Sequence, residues 1–257
     1  MNNVFSFNRF GNFFMYELRH IASRFTHDML TMGILPLMMA TFSVILNLIQ
    51  GEPLTHSAFD STRTMFSVVL ILTPVIYPAR MFGRITDKKA GADWMLIPAS
   101  GLEKFISVLL INLIVVPGLL VLMLFVCDKL LWLIFGEMTY GAGFFTTMTD
   151  IVGPELFLLV LSGFVNSSLT FLLGAVCFRK AKVAKTILVL FALSVLFSVA
   201  FAGILSFDGV DLWIEGWIMD IESLPIESIN VWLNISIFGS MILLAGAIYY
   251  RLKTIKY

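Results

Sequence analysis

Charge is what this chain has least of. Asp, Glu, Lys and Arg make up 13% of its 257 residues, against about 25% in soluble domains, which excludes a surface that faces water all round. Long polar stretches are missing too: the longest polar connections run to about 25 residues, well short of the roughly 50 at which a domain begins. Cysteine occurs only as Cys127 and Cys177. They fall near opposite ends of two apolar runs, so they form no disulfide, and a closed metal site needs about four ligands; both read as packing residues. Histidine is limited to His20, His27 and His56, none inside an apolar run, so an intramembrane serine protease has no base to activate its nucleophile. No His-Glu-x-x-His pair and no mid-run pair of aspartates occurs. No Gly-x-x-x-x-Gly-Lys-Ser/Thr loop is present, which excludes ATP binding by that device. These absences predict a chain that is not an enzyme, with no catalytic residue, metal or cofactor of its own and no nucleic-acid partner.

What is there is apolar. Hydrophobic residues make up 59% of the chain, with 24 Phe and 14 Met. Six apolar runs lie at about 29–50, 62–79, 105–126, 155–178, 186–207 and 229–250, each near the roughly 20 residues that cross a bilayer as a helix. The runs are continuous rather than alternating, which favours helices over a barrel. The expected fold is an all-α membrane protein, a single transmembrane domain of six helices. The first 27 residues lack the short apolar core of a cleavable signal.

Charge sets the topology. With the N-terminus in the cytoplasm, the inside segments hold Arg9, Arg19, Arg24, Arg80, Arg84, Lys88, Lys89, Lys104, Arg179, Lys180, Lys182, Lys185, Arg251, Lys253 and Lys256, and only Arg63 and Lys129 fall outside. The acids lean the other way, with Glu17, Asp28, Asp87, Asp93 and Glu103 inside and 12 outside, so the balance is 15 − 5 = +10 inside and 2 − 12 = −10 outside. This positive-inside bias predicts both termini in the cytoplasm.

Phe10, Phe13, Phe14, Glu17, Leu18, Ile21 and Phe25 recur at helical spacing, with Arg9, Arg19, His20 and Arg24 between them. This predicts an amphipathic helix over about 10–25, within the segment 1–27, lying in the inner interface; a helix packed on the protein's own loops is the alternative. Pro36, Pro74, Pro78 and Pro117 lie inside spans, where each removes a helical hydrogen bond and can bend the helix. The segment 130–149 continues apolar before turning Gly-rich. In 210–224, Ile214, Trp217, Ile218 and Ile221 share a helical face, which predicts a short half-helix at the outer leaflet between spans five and six.

The segment 80–104 carries most of the functional signal. It is basic at its start and then runs Asp93-Trp94-Met95-Leu96-Ile97-Pro98-Ala99-Ser100-Gly101-Leu102-Glu103-Lys104. Ser100 and Glu103 have capping-box spacing for a helix start at the head of span three. Trp94, Leu96 and Ile97 are large apolar residues in a charged turn, a plausible knob for a soluble partner; anchoring of Trp94 in the inner interface is the alternative. Within the spans, Asn47, Asn112, Asn166, Ser167, Ser168, Thr170, Asn234 and Ser236 either line a path or join helices by hydrogen bonds. Gly163, Gly174, Gly239 and Gly246 offer smooth faces for close helix approach.

The turn of leucine, one residue, proline, a small residue and serine ahead of span three, together with the opening Phe5-Ser6-Phe7-Asn8-Arg9-Phe10-Gly11, resembles permease subunits of ATP-binding-cassette (ABC) exporters of the type-2 class. The likeness is greatest to members from Bacteroides-type bacteria and covers nearly the whole chain. The resemblance implies a permease in the bacterial inner membrane that pairs with a second copy or homologue and works with a cytosolic ABC ATPase. That partner would hold ATP and Mg²⁺. The turn would couple to the ATPase through Asp93, Trp94, Leu96, Ile97, Pro98, Ser100, Glu103 and Lys104. Phe10, Phe14, Glu17, Arg19 and Arg24 of the N-terminal helix would form a second contact. The apolar spans suit a hydrophobic or amphipathic cargo. The alternatives are a non-transporting scaffold or sensor and a small ion-coupled carrier, the latter at odds with spans that lack a mid-membrane charge.

Overall fold

The computed structural model describes residues 5–51, 59–136, 154–205 and 226–255, apart from the side chains of 23–26, 29, 60, 61, 63, 88, 154–158, 204, 205 and 226–233. Among the described residues every regular element is helical. In chain order these are α1 (Phe7–Gln50), α2 (Asp60–Phe82), a 3-10 turn (Gly83–Thr86), α3 (Lys88–Leu96), α4 (Gly101–Leu110), a π turn (Ile111–Val115), α5 (Val116–Phe135), α6 (Pro154–Cys177), α7 (Lys182–Leu205) and α8 (Ile226–Thr254).

Among the described residues six segments are long and apolar enough to cross a membrane: Leu30–Gln50, Thr64–Thr86, Gly101–Phe135, Leu159–Cys177, Lys182–Gly203 and Asn234–Thr254. The chain is therefore a multi-pass, all-helical membrane-type protein. Each segment overlaps a run read from the sequence, and two boundaries change most. The N-terminal helix and span one are a single helix of 44 residues, about 66 Å long at 1.5 Å per residue. Its first half therefore extends beyond the apolar segment instead of forming a separate interfacial helix. Span three continues past Asp128 and Lys129 to Phe135, because Leu130 to Phe135 hold no glycine or proline and the next breaker is Gly136 at φ 59°. The expected half-helix at 210–224 and the Gly-rich stretch at 141–145 lie outside the described residues.

Helix α6 packs against both α2 and α8, while α1 packs on α2, α4 and α5. Fully buried Phe66, Val69, Ile111, Leu120, Leu124, Leu172, Val176 and Ile248 form the seam between these layers. Of the four glycines read as close-approach positions, Gly174 serves that way, since a Cβ there would stand 1.8 Å from Thr186 Oγ1. Gly163, Gly239 and Gly246 have open space around them. The helices run through Pro36, Pro74 and Pro78. Two residues ahead of Pro117, span three widens into the π turn, where Val116 N–H donates to Ile111 O. Such bulges shift the register of the residues they carry.

Candidate functional site

One end of the bundle gathers the start of α1, the close of α2, α3, the head of α4 and the α6–α7 turn. The local structure of the α3–α4 corner follows from its sequence. Ser100 caps α4, its Oγ accepting from Glu103 N at 3.2 Å while Glu103 Oε2 accepts from Ser100 N at 2.8 Å, the capping box expected from the spacing. Pro98 lacks an N–H, which suits it to the break between α3 and α4.

The corner is tied to α1 by two fully buried carboxylates. Glu17 Oε1 accepts from Trp94 Nε1 at 3.0 Å, and its Oε2 takes the Arg84 guanidinium. Glu103 Oε1 accepts from the Ser6 backbone N–H at 2.8 Å and from Arg9 at 3.1 Å. The Phe13 ring meets the Trp94 ring edge-on at 6.2 Å. Lys104 is buried as well. Its Nζ lies 4.7 Å from the Trp94 ring centre and donates to the carbonyl oxygens of Trp94 (2.9 Å) and Met95 (3.2 Å), satisfying the last turn of α3. A third tie, Arg80–Asp28 at 2.9 Å, joins α1 to α2. Burial raises the Glu17 carboxyl above the usual carboxylate range, outweighing the attraction of Arg84 and the hydrogen bonds from Arg84 and Trp94.

These contacts correct two expectations. The face of α1 carrying Phe13, Glu17 and Ile21 is buried against the protein's own turn. A carboxylate in the middle of an apolar face needs a cation, and Arg84 supplies it. Phe10 and Phe14 are half-buried and stacked at 5.9 Å, Arg19 is exposed, and the Arg24 side chain lies outside those described. Secondly, Trp94, Glu103 and Lys104 are buried within the chain and are not available as a docking knob. Their aromatic and charged groups are consumed by Phe13, Glu17, Ser6 and Arg9. The corner presents Asp93, Met95, Leu96, Pro98 and Leu102 instead, with Leu96 at 81% exposure; Ile97 and Ser100 are half-buried.

Sequence reasoning placed Glu17 in the N-terminal helix and Arg84 in the turn without joining them. The signal was there, an acid at i+4 from Phe13 and i−4 from Ile21 on an otherwise apolar face, but its partner lies 67 positions away. The in-span polar residues also sort. Asn112 Nδ2 donates to Ser168 Oγ at 2.8 Å, with both side chains buried, and Asn166 Nδ2 donates to Ser240 Oγ at 3.0 Å. Both bonds join helices. Ser167 is half-buried and Asn234 exposed. Among the described residues no group of three or more His, Cys, Asp or Glu is placed to hold a metal ion.

No family model, curated protein or solved structure matches this chain.

Proposed function

We propose that the protein is the membrane-spanning subunit of an ABC-type exporter, driven by a separate cytosolic ATPase. The observation that carries this reading is the α3–α4 corner: an exposed apolar tip at Leu96 whose base is fastened by Glu17 and Glu103 to a helix that continues into span one. Force applied at the tip passes through buried ion pairs into α1 and through the capped head of α4 into span three. That is the mechanical connection a coupling element needs. Asp93 and Pro98 share its exposed surface, while Trp94, Glu103 and Lys104 act as its internal fasteners.

The charge bias supports an orientation with this end and both termini in the cytoplasm, in a bacterial inner membrane. Two permeases would pair above two ATPases, and ATP-driven closure below would tilt the spans. The largely apolar spans suit a hydrophobic or amphipathic cargo. The test is purification of the tagged protein from its native membrane in mild detergent, followed by mass spectrometry. We expect a stoichiometric ATPase bearing a phosphate loop, lost on Leu96→Asp while insertion and helicity are kept. Trp94 is unsuitable for this test because its replacement would unfold the corner. Recovery of the protein without an ATPase would turn the reading to a scaffold, and retention of the ATPase by Leu96→Asp would move the contact elsewhere.

A further inference from the structure

A second feature of the same end is independent of the coupling corner. A recess of about 370 Å³ is lined by Ala79 and Arg80 at the close of α2, Arg179 and Ala181 in the α6–α7 turn, and Lys182, Val183 and Ala184 opening α7. Lys180 and Lys185 flank it in sequence. Two acids touch this set: Asp28 on Arg80, and Asp87, 3.4 Å from Lys182 Nζ, which also donates to Gly83 O. Five cations against two acids leave a formal +3. Arg179 is exposed and makes no hydrogen bond or ion pair among the described residues, and the Arg80 guanidinium keeps donors beyond the one given to Asp28.

The recess sits in the closing turns of the apolar segment Thr64–Thr86 and at the head of Lys182–Gly203, and the ends of such segments are where a helix passes from hydrocarbon to headgroups. From it, α7 leads into the membrane with Ile187, Leu188, Phe191 and their neighbours exposed. A cationic recess opening directly onto a bare apolar helix matches a molecule with an anionic head and a hydrocarbon tail. A small soluble anion would use only the head of that arrangement.

We infer that this recess binds the phosphodiester headgroup of an anionic phospholipid, with Arg179 and Arg80 on the phosphate and the acyl chains along α7. The test reconstitutes the full-length protein in nanodiscs of equal phosphatidylglycerol and phosphatidylcholine and counts retained lipids by native mass spectrometry. The wild type is expected to retain phosphatidylglycerol preferentially. Arg179→Gln should lower that preference about fivefold, the scale of one cation's attraction at a membrane surface, and Arg179→Glu, which reverses the charge, further. Lys253→Glu, an exposed lysine in the last turn of α8, should leave it unchanged. Absence of preference in the wild type, or an equal fall in the Lys253 variant, would overturn the site. Displacement of phosphatidylglycerol by millimolar inorganic phosphate would overturn the lipid assignment in favour of a free-phosphate site. Neither readout depends on an ATPase, so this inference and the exporter reading fail separately.

Discussion

Helices α6 and α7 have the same length, 24 residues each, are joined by a short turn and are both apolar enough to cross a membrane. They end in opposite surroundings: 39% of the α6 span is buried within the chain and only 6% of the α7 span. Both are strongly apolar, with mean hydropathy 1.8 for the α6 span and 2.4 for the α7 span. Helix α6 carries Asn166 and Ser168, which reach Ser240 and Asn112 on other helices, and Gly174, which admits Thr186. The Ser194 hydroxyl of α7 bonds only the carbonyl of Phe191 on its own helix. Among lipid tails one leucine is no better a neighbour than another, so close fit and hydrogen bonds decide which helices associate. Glu17, Arg84 and Lys104 apply the same rule outside the apolar segment of α1, with charges in place of amides.

If polar ties hold this fold, breaking them should rank by charge and burial. Glu17→Ala should cost the most, about 3–5 kcal/mol, because it strands Arg84 and the Trp94 N–H in a buried place; denaturant-titrated unfolding in bicelles measures it. The milder Glu17→Gln tests the proton. Since burial raises the Glu17 carboxyl, the folded state holds a proton that the unfolded chain releases, so the wild type loses stability as pH rises from the ordinary carboxylate range through the raised value. Thermal unfolding across that range should show this slope in the wild type and not in Glu17→Gln; an unchanged slope would remove Glu17 as its source.

A neutral tie should matter less. Asn112→Ala removes one bond to Ser168 and should cost about 0.6–2 kcal/mol by the same unfolding measurement. Phe197→Ala, on the exposed side of α7, should shift stability by no more than about 0.5 kcal/mol, as for other positions without packed neighbours. A loss comparable to that of Asn112→Ala would mean that α7 is packed in the working assembly, and would erase the contrast between the two helices.

Much of the architecture was legible because its signals are local. A run of apolar residues reports its own solvent, and all six runs became helices. The Ser100–Glu103 box needs three residues of sequence separation and formed as spaced. The end of span three was read nine residues short because the charges Asp128 and Lys129 lower hydropathy without breaking a helix. The N-terminal helix was read as a separate element for a similar reason: its polarity changes near residue 28, but nothing there stops helical hydrogen bonding.

The candidate site was legible only in part. Trp94 looked exposed because its own segment is charged, and its cover, Phe13 and Glu17, comes from some 77 residues earlier in the chain. The exposed tip at Leu96 and the buried base at Trp94 have similar local sequence; the packing of α1 across the corner makes them different.

By itself, then, the sequence determined that this protein is helical with six segments long and apolar enough to cross a membrane, because transfer of a segment from water is a sum over its own residues. It also determined where α4 starts. The tertiary structure alone decided which carboxylate meets which cation, that α1 clamps the α3–α4 corner, and that α6 is enclosed while α7 stands open. Those outcomes depend on pairs of groups brought together from distant positions, whose energies no single segment contains.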